Sequence, residues 1–521
     1  MDVKVNVAGL VSSHLDQKHS TKWITGVEER VIMLLPYLLM FFAVGFVTWY
    51  MRRMQRISAM ISKIPGPPTL PLIGNAHSFF GLDMEGYNNI QLELMKTYGS
   101  TVRVWLGPFL WVNLAEPKHI EAILSSEYGT NKDPTYRFFK AHSDGIFVAS
   151  GDRWRKLRKM VNPTFHQKLL ENFLTTFNEQ SDVLVQRLEE QVGKPTFDIG
   201  DYTAKCTLDF LCGTLMGVKS KEQIENRCDF AKNVVGSVTI IKKRFYTLHY
   251  QSDWIFRFTN WSKQLNAFVK PLHDFAKQVI LERISIKQAE DPKDGLIDDL
   301  DKKRSIYLDT ILEQFKHMSI DELTYLTTDT FIAGADTTRV ATAYAFALLG
   351  AYPEIQEKVY QEIVDVVGDG EFTIHKLATL PYLEMVLKEV LRLFSVPVIV
   401  RQLERDHDIG DLVLPSGTSI QICFYAVHRD TRFWKKPEEF YPDHFLPEEV
   451  AKRPKYSYLP FGYGPRNCPG HAYAMLSMKT MVGSVIRKYK ITSDLNLENA
   501  EYNNIFMLEL THGYPVQLTK R

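Results

Sequence analysis

Cysteine is scarce: the 521 residues hold five, an odd number and too few for a disulfide framework. Cys206, Cys212, Cys228, Cys423 and Cys468 are therefore read as reduced, with any special role held by one of them. Excess charge of one sign is missing too. Lys and Arg number 62 against 61 Asp and Glu, a net +1, so the chain lacks the basic surplus of a nucleic-acid binder and no nucleic acid is expected as a partner. Repeats, low-complexity tracts and a second internal linker are absent. At 45% hydrophobic and 24% charged residues, the composition excludes a disordered or fibrous chain. The one densely charged stretch, Glu290 to Arg304, mixes its signs and reads as a solvated surface loop. At about 150 residues per domain the length allows three domains, although one large enzyme fold can absorb it all.

Apolar character is concentrated in one run. Val31 to Met51 contains no charged residue, and as a helix it covers about 30 Å, the hydrocarbon thickness of a bilayer. Trp49 and Tyr50 stand where interfacial aromatics belong, and Arg52, Arg53 and Arg56 end the run. Mostly polar residues precede it, which fits a cleaved signal peptide poorly. A membrane anchor is expected, and the basic flank places the body that follows on the cytoplasmic side. Next come Pro65, Gly66, Pro67, Pro68, Pro71 and Gly74, too many helix breakers for a helix, which read as a stiff spacer. The expected organisation is a tail over 1–30, an anchor over 31–51, a basic and proline-rich spacer over 52–74 and one catalytic domain over 75–521. That domain reads as mainly α, with long helical periodicities and short strand-like runs at Thr101–Asn113 and around Ile399–Leu414.

Two helices carry unusual polar residues. Ser319-x-x-Glu322 reads as a capping box opening a stretch that runs to Gly350, about 48 Å if unbroken. In its middle stands Ala333-Gly334-Ala335-Asp336-Thr337-Thr338, where glycine weakens the helix and buried Asp and Thr need partners. A hydroxyl bonding back to the previous turn and bending the helix would account for it. In the second helix Leu383, Val386, Leu387, Val390, Leu391 and Phe394 form one stripe, and Glu389 and Arg392 lie off it. Periodicity alone makes them a solvated pair contributing about 0.2–0.5 kcal/mol.

The most informative stretch is Phe461-Gly462-Tyr463-Gly464-Pro465-Arg466-Asn467-Cys468-Pro469-Gly470, followed by a helical run from His471. A lone cysteine before a helix start is exposed to partial positive charge, which favours the thiolate. Such a thiolate could be a nucleophile, a zinc ligand or an axial ligand to haem iron. Cys468 and His471 make at best half a zinc site. No obvious histidine–carboxylate partner marks a cysteine hydrolase. Gly462-x-Gly464-x-x-Asn467 lacks the third glycine of a dinucleotide loop. Haem remains, with Arg466 placed to meet a propionate.

At this point the sequence resembles a family. Phe461-x-x-Gly464-x-Arg466-x-Cys468-x-Gly470, with Ala474, is similar at every defining position to the haem-ligand signature of the cytochrome P450 superfamily. Ala333 to Thr338 resembles the family's oxygen-activation motif. Glu389-x-x-Arg392 resembles its buried pair, overriding the surface reading. Phe440 to Phe445 resembles the segment that locks this pair, with His444 where Arg is usual. Trp154 and Arg158 resemble propionate-binding residues, and Arg401 sits where another is expected. The stretches 162–166, 177–181 and 303–309 look like the insect branch related to fatty-acid omega-hydroxylases. Many of that branch carry a glutamate, esterified to a haem methyl, where this chain has Ala333, so that link is chemically impossible here.

The resemblance implies a P450-like helical domain with small sheets behind a transmembrane helix, and a monooxygenase that puts one atom of O2 into an apolar substrate. Fatty acids, lipid-like signals and xenobiotics all qualify. The implied cofactor is haem b, held non-covalently except for the Cys468–iron bond, where the thiolate favours O–O cleavage. Asp336 and Thr337 are implied to relay protons. Implied partners are a separate NADPH–cytochrome P450 reductase, with cytochrome b5 as a second donor, and the lipid bilayer, at the endoplasmic reticulum as a single-pass protein. The rival readings on this fold are an inactive haem sensor and a haem isomerase or dehydratase; an intact Asp336–Thr337 pair argues against both. Phe138, Phe139, Phe147, Phe331, Ile332, Val396, Val398, Phe506 and Met507 are the candidate pocket lining.

Overall fold

The computed structural model describes residues 37, 40–42, 44–79, 82, 84–225, 228–289, 306–314, 318–504 and 506–521. By contacts the chain divides into two compact units, Met1–Lys63 and Ile64–Arg521. In the first, the described residues of the apolar run, Tyr37, 40–42 and 44–51, are helical, and the helix continues to residue 60. The rest of the 31–51 run and the 1–30 tail lie outside the described residues, so among those described no helix is long and apolar enough to cross a membrane. Phe41, Phe42, Phe46, Val47 and Trp49 are nonetheless exposed on this helix.

The second unit is mainly helical. Its principal helices are α1 (Gly151–Val161), α2 (Gln167–Glu189), α3 (Gly200–Leu211), α4 (Phe230–Tyr246), α5 (Asn260–Ala289), α6 (Ile320–Phe331), α7 (Thr337–Ala351), α8 (Pro381–Phe394) and α9 (His471–Lys488). The capping box at Ser319 is present: its side chain accepts from the Glu322 N–H, and the Glu322 carboxylate accepts from the Ser319 N–H at 2.9 Å. Between α6 and α7 the chain stays helical but winds one π-turn, Ile332–Asp336. α7 is apolar nearly all round, VATAYAFALLG, and every residue from Thr338 to Gly350 is buried, as such a helix requires. α3, α8 and α9 pack around it. The charged stretch 290–304 lies outside the described residues.

Strands β1 (Thr101–Leu106), β2 (Phe109–Leu114), β3 (Val398–Gln402) and β4 (Ser419–Cys423) form a sheet in the order β1-β2-β4-β3. β1 and β2 make a hairpin, β2 pairs parallel with β4, and β4 pairs antiparallel with β3. The strand-like run Thr101–Asn113 is thus two strands rather than one. A smaller sheet joins β5 (Tyr489–Thr492), β6 (Pro515–Lys520) and the short strand Phe197–Asp198. Residues 64–74, within the stretch read as a spacer, belong to this unit. Arg103 N–H donates to the Pro65 carbonyl at 2.9 Å, and Gly107 N–H to that of Ile73 at 3.0 Å. Proline cannot give its own N–H to a ladder, but its carbonyl can accept at a sheet edge.

Candidate active site

The loop before α9 is shaped by its glycines. Gly464 has φ 74°, and a Cβ there would overlap the Leu124 carbonyl, so only glycine allows this approach. The turn brings the Cys468 N–H to the Phe461 carbonyl at 2.8 Å, and the Phe461 ring packs on His471 at 4.4 Å. Gly470 directs its N–H at the Cys468 sulfur. The other four cysteines are buried, and burial pushes the Cys228 and Cys423 thiols up to about 12. Burial raises the Cys468 thiol as well, opposed by the Gly470 N–H and by Arg158. The helix start and Arg158 together therefore do not offset the burial of this thiol.

Four cations gather beside this loop. Arg158, on α1, donates to the backbone and side-chain oxygens of Asn467, next to Cys468, and its Nε is buried without a partner. Arg466 lies 5.0 Å over the ring of buried Trp154 and donates to the carbonyls of Thr130 and Ala149. Arg401, on β3, is buried with its Nε unsatisfied, and its guanidinium bonds the Val400 carbonyl at 3.1 Å and the Tyr136 side chain. Lys132 bridges to Arg401 through the backbone, and its ammonium sits 3.9 Å over the Tyr136 ring. Burial lowers Arg401, Lys132 and Arg466, the last to about 9, and their mutual repulsion adds to this for Lys132 and Arg466. Like charges gathered with unused donors call for an anion between them. The carboxylates of a porphyrin fit that requirement.

The α6–α7 helix faces the same region with a different chemistry. Over residues 326–350 this helix is buried except that Ala333 is exposed and Thr330, Gly334 and Thr337 are half-exposed, with 330, 333 and 337 forming an i, i+3, i+7 stripe. The Thr337 hydroxyl donates to the Ala333 carbonyl at 2.8 Å, the back-bond anticipated from its sequence. Asp336 points elsewhere. It is buried and paired with Arg339 at 2.8 Å, and Arg339 continues to Glu509 at 2.6 Å. Burial lifts the Asp336 carboxyl to about 6, against Arg339 and with help from Glu509. The two residues anticipated as a proton-relay pair are thus adjacent in chain but engaged with different partners.

Behind the loop, Glu389 and Arg392 are fully buried, not solvated. Arg392 donates to both Glu389 oxygens at 2.8 Å and to the carbonyls of His428, Pro437 and Glu439, which uses its whole guanidinium. Glu389 also accepts from the Tyr441 N–H at 2.9 Å and meets His444 Nδ1 at 3.1 Å. Burial opposes its charge, but Arg392 and His444 outweigh that and hold the carboxyl below its ordinary range.

Comparison with known proteins decides what this arrangement belongs to. The family model described as "Cytochrome P450" matches residues 64–514. The chain belongs to the cytochrome P450 family. It is 35% identical over 518 residues to "Cytochrome P450 4c3" of Drosophila melanogaster, covering 96% of each chain. It is 35% identical to "Cytochrome P450 4g1" of the same fly, over 91% of each, and 32% identical to human "Cytochrome P450 4V2", over 90% of this chain and 93% of that protein. As a cytochrome P450 it is a haem-dependent monooxygenase, an oxidoreductase that needs an electron-transfer partner and acts on apolar substrates.

Within this P450, sequence reasoning missed Lys132, Asp329 and the Arg339–Glu509 pair. Lys132 in Asn-Lys-Asp-Pro reads as an ordinary turn, and only the bridge to Arg401 across the sheet edge brings it in. Of the candidate pocket residues, Phe139, Phe147 and Phe506 meet, with centroids 5.5 to 5.6 Å apart. Phe138 instead joins a core with Ile240, Ile241 and Phe256, and Phe331 is buried against Phe275. Among the described residues no group of three or more His, Cys, Asp or Glu stands where it could hold a metal ion.

Proposed function

We propose that the residues of the 461–470 loop and the accessible stripe of α6–α7 would hold haem b, with the Cys468 sulfur binding its iron. The observation that carries the reading is the set of four buried or half-buried cations beside Cys468, two of which, Arg158 and Arg401, keep a buried Nε without a partner. Arg158, Arg401 and Arg466, joined by Lys132, would hold the two propionates, with Trp154 stacked under Arg466. Bound there, haem supplies the activation of O2. Phe461 shields the loop and Gly470 gives its N–H to the sulfur. Thr337, on the accessible face, would donate its hydroxyl proton toward the reacting oxygen, and would be reprotonated through Asp336 once that carboxylate leaves Arg339. Glu389, Arg392 and His444 would anchor the loop's support rather than touch substrate. The balance is one substrate C–H and one O2, with two electrons and two protons, giving a hydroxyl and one water.

In this reading the electrons come from an NADPH–cytochrome P450 reductase, with cytochrome b5 as a second donor. The 31–51 run would anchor the protein in the endoplasmic reticulum membrane as a single span, with the catalytic unit cytoplasmic. The exposed Phe41, Phe42, Phe46 and Trp49 support that. The substrate would be a fatty acid, a lipid-like signal or a xenobiotic. A panel of such compounds, scored by substrate-induced spin-state change and then by product formation with reductase, NADPH and O2, tests the function. Compounds that shift the spectrum should be hydroxylated only when all three are supplied. Turnover without reductase would favour the isomerase or dehydratase reading, and spectral shifts without any product the sensor.

A further inference from the structure

Lys242 stands near the end of α4 and belongs to no motif used so far. The faces of α4 are set by its neighbours. Gly236 and Lys243 meet α5: a Cβ on Gly236 would stand 2.6 Å from the Phe268 ring, and the Lys243 ammonium lies 3.9 Å over the Trp261 ring. Val238 lies on another face, buried in one core with Ile332 and Ala335 of the π-turn against which α4 packs. Lys242 follows Val238 by one turn and shares its face. Phe245, three residues further, meets the Trp111 ring of β2 edge-on at 6.3 Å. Lys242 is therefore held between the π-turn and the first sheet. Tyr136 packs with that part of the sheet and reaches the aromatic trio, 6.0 Å from Phe139 and 5.5 Å from Phe147. Phe506, the third ring, and Glu509 belong to one hairpin, Tyr502–Asn504 with Leu508–Leu510. Glu509 is the acid whose charge acts on Lys242.

The charge on Lys242 is unanswered among the described residues. Arg339, Arg392 and Lys479, all buried, each have a carboxylate at 2.6 to 2.8 Å. Lys242 makes no hydrogen bond or ion pair with any described residue, and Glu509 gives its bonded oxygen to Arg339. The side chain is half-buried, yet burial pulls the ammonium down to about 7, against the pull of Glu509. Bulk water would leave a lysine near its ordinary value, so the accessible part of Lys242 opens inward. A cation so placed costs free energy until an anion reaches it. We propose that Lys242 is a specificity-determining residue: its ammonium receives the anionic end of the substrate, and the site therefore selects amphiphilic anions over neutral molecules of the same shape. This deepens the proposed monooxygenase reading and rests on the 461–470 loop being the haem site. Val238 and the aromatic trio offer apolar contact to the rest of the molecule, and pairing with Lys242 holds one end while the other stays free to react.

The test uses full-length, haem-loaded protein and paired spectral probes, a series of ω-imidazolyl alkanoic acids of increasing chain length and the matching ω-imidazolyl alkanols. Imidazole reports binding through the Soret shift, and acid and alcohol differ only in the far end group, so the ratio of their Kd values separates charge recognition from packing. Wild type should bind the acid roughly tenfold more tightly than the alcohol at its best chain length, the scale of one charge-assisted hydrogen bond. Lys242→Met, which keeps the length and removes the charge, should weaken the acid alone and bring the ratio near one. Lys242→Arg, with its charge retained, should keep the preference. Equal Kd values for acid and alcohol in wild type at every length, or a preference that survives in Lys242→Met, would overturn the proposal. If Lys242→Met fails to load haem, Lys242→Gln takes its place with the same expected ratio and the same contrary result. A wild-type protein showing no Soret shift with imidazole itself would instead refute the haem site on which the proposal stands.

Discussion

His444 occupies a position where arginine is usual in the family, and its tautomer shows how it serves. Its Nε2 accepts the Lys436 N–H at 3.3 Å, so Nδ1 carries the hydrogen that meets Glu389 at 3.1 Å. A neutral imidazole can therefore do part of what a guanidinium would. Removing Glu389 or Arg392 strands a fully buried charge, so Glu389→Gln or Arg392→Leu should cost about 3–5 kcal/mol. His444→Ala leaves Arg392 and the Tyr441 N–H on Glu389 and should cost only about 1–3 kcal/mol. Urea unfolding with haem content followed in parallel measures both, and equal losses for all three would place His444 within the ion pair proper. Helical period alone sends Glu389 and Arg392 to the surface. They are buried because residues 428–441, distant in sequence, fold over that face of α8, and no local pattern encodes such a cover. Thr337 was easier to read, since its hydroxyl makes the local back-bond a helical threonine favours. Thr337→Ala should keep haem and lower product per NADPH by roughly 10²-fold with peroxide released in its place, the low end of what one lost proton donor costs. Unchanged coupling would leave the threonine with its helical bond alone.

Among the elements, the α6–α7 helix was the most legible. Its capping box and its length to about Gly350 stand as the sequence indicated, and the expected irregularity takes the form of a π-turn at Ile332–Asp336, a feature that recurs where helices carry function. What the sequence could not show is that Asp336 turns to Arg339, because that partnership depends on Glu509 arriving from a hairpin near the C-terminus. α1 is divided by face: Trp154 and Leu157 are buried while Arg153, Arg155, Lys156 and Lys159 are exposed. Arg155 is partly neutralised by Asp152 at 2.7 Å and Arg153 by Asp144 at 3.0 Å. Exposed charge mainly governs association rate and is screened by salt. Arg155→Glu with Lys159→Glu should slow reduction by the reductase roughly tenfold at low salt, with turnover driven by added peroxide unchanged. Stopped-flow reduction at two ionic strengths measures it, and equal rates would move the docking face away from α1.

Across the whole molecule, the family and its fold class could be read because a few loop residues form one specific pattern: Gly464, held by its approach to Leu124, Arg466, reaching the Thr130 and Ala149 carbonyls, and Cys468 beside them. Aromatic residues were less legible, since they look alike in sequence whether they cluster half-buried, as Phe139, Phe147 and Phe506 do, or fill a core, as Phe138 and Phe331 do. The proline-rich stretch belongs with the catalytic unit from Ile64 because its carbonyls, not its missing N–H groups, decide where it lies. In the proposed reading the chemistry depends on one atom, the sulfur of Cys468. The most direct measurement is the absorption spectrum of the reduced, CO-bound Cys468→Ser protein beside wild type. The account predicts that wild type shows the red-shifted Soret band of thiolate ligation and that the serine variant loses it. Persistence of that band in the variant would contradict the assignment of Cys468 as the iron ligand.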